Sequence, residues 1–178
     1  VEGDPQSNGA AEATVREIKK HCRALKSSTE DRLGRRIPPE HHALAWIPRF
    51  QACNVSRYRV LQDGRTAVER CTGRRWNRPT LKFMERALFK PAISQEGPKK
   101  NSYDAKFRVG WYVGSHSRSS SMLFMTTDGV FKGKTARSLP PEEKYNGPEF
   151  EQLKGLPWNL NPPTFAGEKI VEDGDCLR

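Results

Sequence analysis

The chain has 178 residues, of which 31 are Lys or Arg and 21 are Asp or Glu, for a net charge of +10; its isoelectric point is about 9.7 and its mean hydropathy −0.81. That length holds one domain or two small ones. No apolar run approaches the roughly 18 residues a spanning helix requires, which excludes a helical membrane anchor from this stretch and leaves no membrane partner to expect. Residues 1–9 lack the basic start and apolar middle of a secretory signal, and the chain opens on Val1 rather than Met, so it reads as a piece of something longer.

The four cysteines, Cys22, Cys53, Cys71 and Cys176, never form a CxxC pair, which argues against a zinc ribbon, a thioredoxin site and a disulfide scaffold and fits a reducing, intracellular compartment. His21, His41, His42 and His116 show neither HExxH nor a His pair with two downstream cysteines, so no zinc is expected.

Charge is unevenly placed. Residues 1–73 carry 13 basic and 9 acidic side chains, residues 74–137 carry 14 and 4, and residues 138–178 carry 4 and 8. A middle third this cationic suits a polyanionic partner such as nucleic acid, whose condensed counterions are released as phosphates are neutralised. It equally suits a solvated basic surface that maintains solubility.

In chain order, residues 4–9 are turn chemistry, after which Ala11, Val15, Ile18, Cys22 and Leu25 recur at spacings of four and three. This predicts an amphipathic helix over about 10–27. Glu12, Arg16, Lys19, Arg23 and Lys26 form a neighbouring stripe in which one carboxylate heads a row of cations. By itself that stripe is an ordinary solvated face, with Glu12 paired to Arg16 one turn on. Ile37-Pro38-Pro39 breaks the pattern, and a second helix over about 40–61 is interrupted by Pro48, which predicts a kink or two shorter helices near Trp46. Thr66-Ala67-Val68-Glu69 is a capping box opening a short third helix that ends near Gly73. Three helices without a strand bury little, so they are expected to pack on a sheet from elsewhere.

From Thr80 the pattern becomes short apolar runs at 87–89, 107–113, 122–125 and 130–136, with Asp128-Gly129 as a hairpin turn and polar loops at 97–102 and 115–121. This predicts a small barrel of SH3-like size. Its aromatics alternate with cations, which places Phe83, Phe89, Phe107 and Phe131 in the core and Lys82, Lys90, Lys106 and Arg108 outward as phosphate contacts, with base stacking the lesser expectation. Residues 139–178, Pro-rich and acidic, predict an irregular tail with a short helix at 148–153.

The run Gly3-Asp4-Pro5-Gln6-Ser7-Asn8-Gly9-Ala10-Ala11-Glu12, followed by a basic helix, resembles the third catalytic motif of retroviral and retrotransposon integrases. Asp63-Gly64-Arg65-Thr66-Ala67, Glu69 and Gly73-Arg74, then a basic β-rich segment, look like copia-type retrotransposon polyproteins; the resemblance covers about residues 1–140, with Pro48 a departure from it.

The resemblance implies an α+β chain. Residues 1–74 would be the C-terminal helices of a truncated RNase H-like integrase core and 80–138, read above as a small SH3-like barrel, the basic segment that follows it; the irregular acidic tail, 139–178, lies past the resemblance. It implies Mg²⁺- or Mn²⁺-dependent phosphodiester strand transfer in DNA integration by the full-length enzyme. DNA would be the partner, a homo-oligomer the working form and the nucleus the site of action. Glu12 would be the third carboxylate of an Asp, Asp, Glu triad and a metal ligand. Gln6 and Asn8 on the loop, with Arg16, Lys19 and Arg23 on the helix, would lie along DNA.

Three carboxylates hold two hard cations in such a site, and one cannot. Only 11 residues precede Glu12, and Asp4 and Asp31 sit where neither can replace a strand-borne ligand. No metal is therefore expected to bind tightly to this chain, which is expected to be inert alone. Two other readings compete: a non-catalytic nucleic-acid-binding or assembly module, and an interaction protein with no nucleic-acid ligand.

Overall fold

The computed structural model describes residues 5–77, 81–92, 95, 103, 105–116, 119 and 121–160, with only the backbone of residues 5–8 and 10. The predicted loop at 97–102, the end of the tail at 161–178 and the side chains of Gln6 and Asn8 lie outside the described residues.

Helix α1 spans Pro5–Leu33, six residues beyond its predicted end and five before its predicted start. Pro5 suits a first turn because the amide it lacks would have no intrahelical partner there. Gly9 costs about 1 kcal/mol relative to Ala, too little to stop a long helix. At the other end, past the predicted limit of about 27, the Thr29 hydroxyl donates to the Leu25 carbonyl at 2.7 Å and its side chain is fully buried. Thr29 and buried Leu33 thus extend the Cys22 and Leu25 stripe, and the helix stops at Gly34, whose φ is +64°.

Helix α2 spans Ala43–Tyr58 and runs unbroken through Pro48, so the expectation of two shorter helices is not met. The proline forfeits one backbone bond, but its ring lies on the exposed side while Trp46, Ile47 and Phe50 are buried opposite. That burial, at about 1.5–3 kcal/mol per side chain, outweighs the roughly 3 kcal/mol an interior proline costs. Helix α3, Ala67–Thr72, has the predicted capping box. The Thr66 side chain accepts the Glu69 amide, the Glu69 carboxylate accepts the Thr66 amide, and Gly73 closes the helix in the left-handed region.

Four strands follow: β1 Arg86–Pro91, β2 Arg108–Ser115, β3 Met122–Thr126 and β4 Gly129–Ser138. Each pairs antiparallel with the next, and β1 pairs with β4, which closes a barrel. The fold is therefore α+β with a small closed barrel. The β3–β4 hairpin turns on Thr127 and Asp128, with Gly129 already paired to Thr126, one residue earlier than the sequence suggests.

So narrow a barrel leaves room for few side chains. Phe89 and Phe124 stack inside it with ring centroids 4.4 Å apart, and Gly110 and Gly133 lie against them. A Cβ at Gly110 would come 2.6 Å from the Phe89 ring.

α2 and the C-terminal half of α1 find cover within the chain, whereas α3 has no buried residue. Trp46, Ile47 and Phe50 of α2 share one continuous core with Phe83, Trp111, Tyr112 and Val113, and the α1 residues Leu33, Leu25 and Cys22 pack on the same cluster. The described part of the tail also joins it. Phe150, in the 3₁₀ turn Pro148–Gln152, and Leu153 are buried.

The tail is held to α2 by side chains. His41 Nδ1 accepts the Ala43 amide at 3.1 Å, which leaves Nε2 to donate to the Phe150 carbonyl at 2.8 Å, and the imidazole stacks on the Phe150 ring. His42 Nδ1 accepts the Gly155 amide, Trp46 donates to the Gly155 carbonyl and Arg49 to the Pro157 carbonyl.

Candidate nucleic-acid interface

Residues directly opposite in an antiparallel ladder share a face, and alternate residues along a strand return to it. Leu88 is opposite Val109 on one side and Arg137 on the other, Lys90 is opposite Thr135, and Arg86 is opposite Trp111. The outer face of β1, β2 and β4 therefore carries Arg86, Leu88, Lys90, Val109, Trp111, Thr135 and Arg137.

The tail closes one end of that face. Arg86 pairs with Glu149 at 2.6 Å, and Trp111 meets the Phe150 ring at 5.3 Å. At the other end no described element covers the face. Lys90, Thr135 and Arg137 are exposed, Leu88 is half-buried, and Val109 is 38% exposed. The Arg137 guanidinium lies 5.2 Å from the centre of the half-buried Phe107 ring, and exposed Lys106 adjoins Phe107 in the chain. The result is an apolar centre of Leu88, Phe107 and Val109 rimmed by Lys90 and Arg137, with exposed Lys106 next to Phe107 in the chain.

Two predicted contacts fall elsewhere. Arg108 is opposite Phe89, on the inner side, where its guanidinium pairs with Asp128 at 2.9 Å and lies 4.8 Å from the Phe131 ring centre. An arginine so engaged closes the barrel mouth. Lys82 is exposed in the turn before β1, and its amide donates to the Glu85 carboxylate at 3.0 Å.

That carboxylate is buried and also accepts from Ser138 Oγ and Lys144. Burial pushes its pKa up. The amide, hydroxyl and ammonium donors outweigh burial and hold it below the usual glutamate value.

A second cationic surface runs along the first half of α1, where Glu12, Arg16, Lys19, Lys20 and Arg23 are all exposed. Arg23 Nε donates to the Lys19 carbonyl at 3.3 Å, while Glu17 is drawn aside by Arg59 at 2.6 Å and Lys26 pairs with Glu30. Val15, on the predicted apolar stripe, is 51% exposed, so burial of that stripe fades toward the N-terminal half. Gln6 and Asn8 lie within the helix and not on a loop.

Glu12 does not make a metal site by itself. Among the described residues no three His, Cys, Asp or Glu side chains stand close enough to hold a cation, and one carboxylate does not meet the ligand needs of a hard divalent ion. A cavity of about 290 Å³ between the β3–β4 turn and the tail is lined by His42, Asp128, Lys154 and Asn159 with no Ser, Thr or Cys. Asp128 is engaged by Arg108 and His42 Nδ1 by the Gly155 amide.

Lys90 and Lys106 are named from the sequence and Arg137 is not, because the apolar run of the fourth strand stops at Ala136 while the pairing continues to Ser138. Phe107, expected in the core, is half-buried beside Arg137, and Leu88 and Val109 fall within the predicted apolar runs. Only the register shows that they face outward.

The fold and the surface define a small α+β protein built on a closed barrel with one open cationic sheet face. No family model, no curated protein and no solved structure matches the chain.

Proposed function

We propose that this chain is the C-terminal part of a copia-type retrotransposon integrase that binds DNA through its basic barrel and its first helix. The observation that carries the reading is the sequence run Gly3 to Glu12, which from Pro5 onward forms the start of a cationic helix, followed in the same chain by a basic barrel. In this reading α1, α2 and α3 end an RNase H-like core, and the barrel is an SH3-like DNA-binding module. Glu12 is one carboxylate of a divalent-metal site whose other ligands come from outside the described residues. Arg16, Lys19 and Arg23 lie one, two and three turns beyond it and supply phosphate contacts, as do Lys90 and Lys106 on the barrel.

The coding sequence upstream of Val1 tests this directly. Two in-frame aspartates on predicted strands are expected, and the 178-residue chain alone is expected to show no Mg²⁺-dependent nicking or strand joining. A start codon just before Val1 with no such strands would favour the second reading, a non-catalytic nucleic-acid-binding or assembly module. The closed barrel and the core shared by helices, barrel and tail support that alternative, since they give the chain an interior of its own.

A further inference from the structure

The open end of the sheet face differs from a surface made only for duplex phosphates. Its middle is apolar, and its cations stand around the edge. A duplex presents a charged backbone and keeps its bases stacked, so it would cover Leu88 and Val109 without giving them apolar contact. A single strand can turn its bases onto such a centre while its phosphates reach the rim. Guanidinium planes serve as base-stacking surfaces as aromatic rings do, and here one lies beside the other in Arg137 and Phe107.

Resting on the nucleic-acid reading above, we infer that the face formed by Leu88, Lys90, Phe107, Val109 and Arg137 binds single-stranded nucleic acid. One base stacks at the Phe107 and Arg137 step, a neighbouring base covers Val109 and Leu88, and Lys90 and Lys106 take the phosphates. The edge that the tail leaves open fixes where the strand runs. Arg86 and Trp111 belong to the same face but are covered by Glu149 and Phe150, so the strand occupies the half of the sheet toward Lys90.

The test is fluorescence anisotropy of the full chain with a labelled oligothymidylate of about 20 nucleotides, longer than the roughly 4–16 that a small barrel covers, beside a random-sequence duplex of equal length. The single strand is expected to bind about tenfold more tightly than the duplex at equal salt. Phe107→Leu, which removes the ring but keeps packing, and Val109→Ser, at an exposed position, are each expected to weaken single-strand binding roughly five- to tenfold and duplex binding less than about twofold. Should Phe107→Leu not fold, Val109→Ser decides the matter.

Duplex binding equal to or tighter than single-strand binding, or an unchanged single-strand affinity in the folded variants, would overturn the inference and leave the nucleic-acid reading standing. Binding of neither probe at about 50 mM salt would overturn both.

Discussion

Gly110 lies on the inside of the barrel because the Phe89 and Phe124 stack fills the space a side chain would need. Gly110→Ala forces a methyl against the Phe89 ring in a barrel closed on all four strands, and overpacking of this kind costs about 1–3 kcal/mol. A urea melt should show the midpoint falling with no change in slope. Glu85 is the second residue whose surroundings decide its behaviour. Its pKa is depressed from the ordinary 4.5, so the folded state binds the proton less readily than the unfolded chain. The stability it contributes is fully present above about pH 4.5 and is lost as the pH falls through the lower folded value. Glu30, held down by the Lys26 ammonium and then the Ile37 amide, acts in the same window and with the same sign. Thermal melts should be flat between about pH 7 and 5 and decline below about 4.5, with a shallower decline in Glu85→Gln.

At the scale of elements the tail behaves as a strap across α2 and the barrel. Phe150 is fully buried against His41 and Trp111, and its carbonyl accepts from His41. Phe150→Ala should cost about 3–5 kcal/mol, read in a denaturant titration; a loss under 1 kcal/mol would mean the strap is dispensable. The existence and order of the elements were legible in the sequence. The capping box Thr66 to Glu69 is local chemistry, and the strand runs alternate or cluster in apolar residues. What the sequence hid was tertiary. The predicted helix ends near residue 27 because its apolar stripe stops at Leu25, whereas Thr29 continues it once Leu25 accepts its hydroxyl and the core covers it. Phe150 and Leu153, in a Pro-rich acidic stretch, become core only because His41, Trp46 and Arg49 reach across some 100 residues of chain to hold that stretch. Arg108 looks outward by composition and is drawn to the barrel mouth by Asp128 and Phe131.

For the whole molecule, the +10 net charge is partly consumed by internal pairs and partly left on two surfaces. Arg86, Arg108 and Arg59 are held by Glu149, Asp128 and Glu17, whereas Lys90 and Arg137 rim the outer sheet face, Lys106 is exposed beside Phe107 in the chain, and Arg16, Lys19 and Lys20 line α1. In the proposed function nucleic acid is held by the unpaired cations and not by the paired arginines. The slope of log binding constant against log salt concentration separates the two, measured for a labelled oligonucleotide in the native chain, in the triple variant Lys90→Gln, Lys106→Gln, Arg137→Gln, and in Arg108→Gln. The native chain should bind with an affinity that falls steeply with salt, the triple variant should lose about 1.4 units of slope on a single strand, roughly 0.7 for each of the two lysines, and Arg108→Gln should keep the native slope while melting at a lower temperature. A triple variant with the native slope, or an Arg108→Gln chain that alone loses it, would contradict the account.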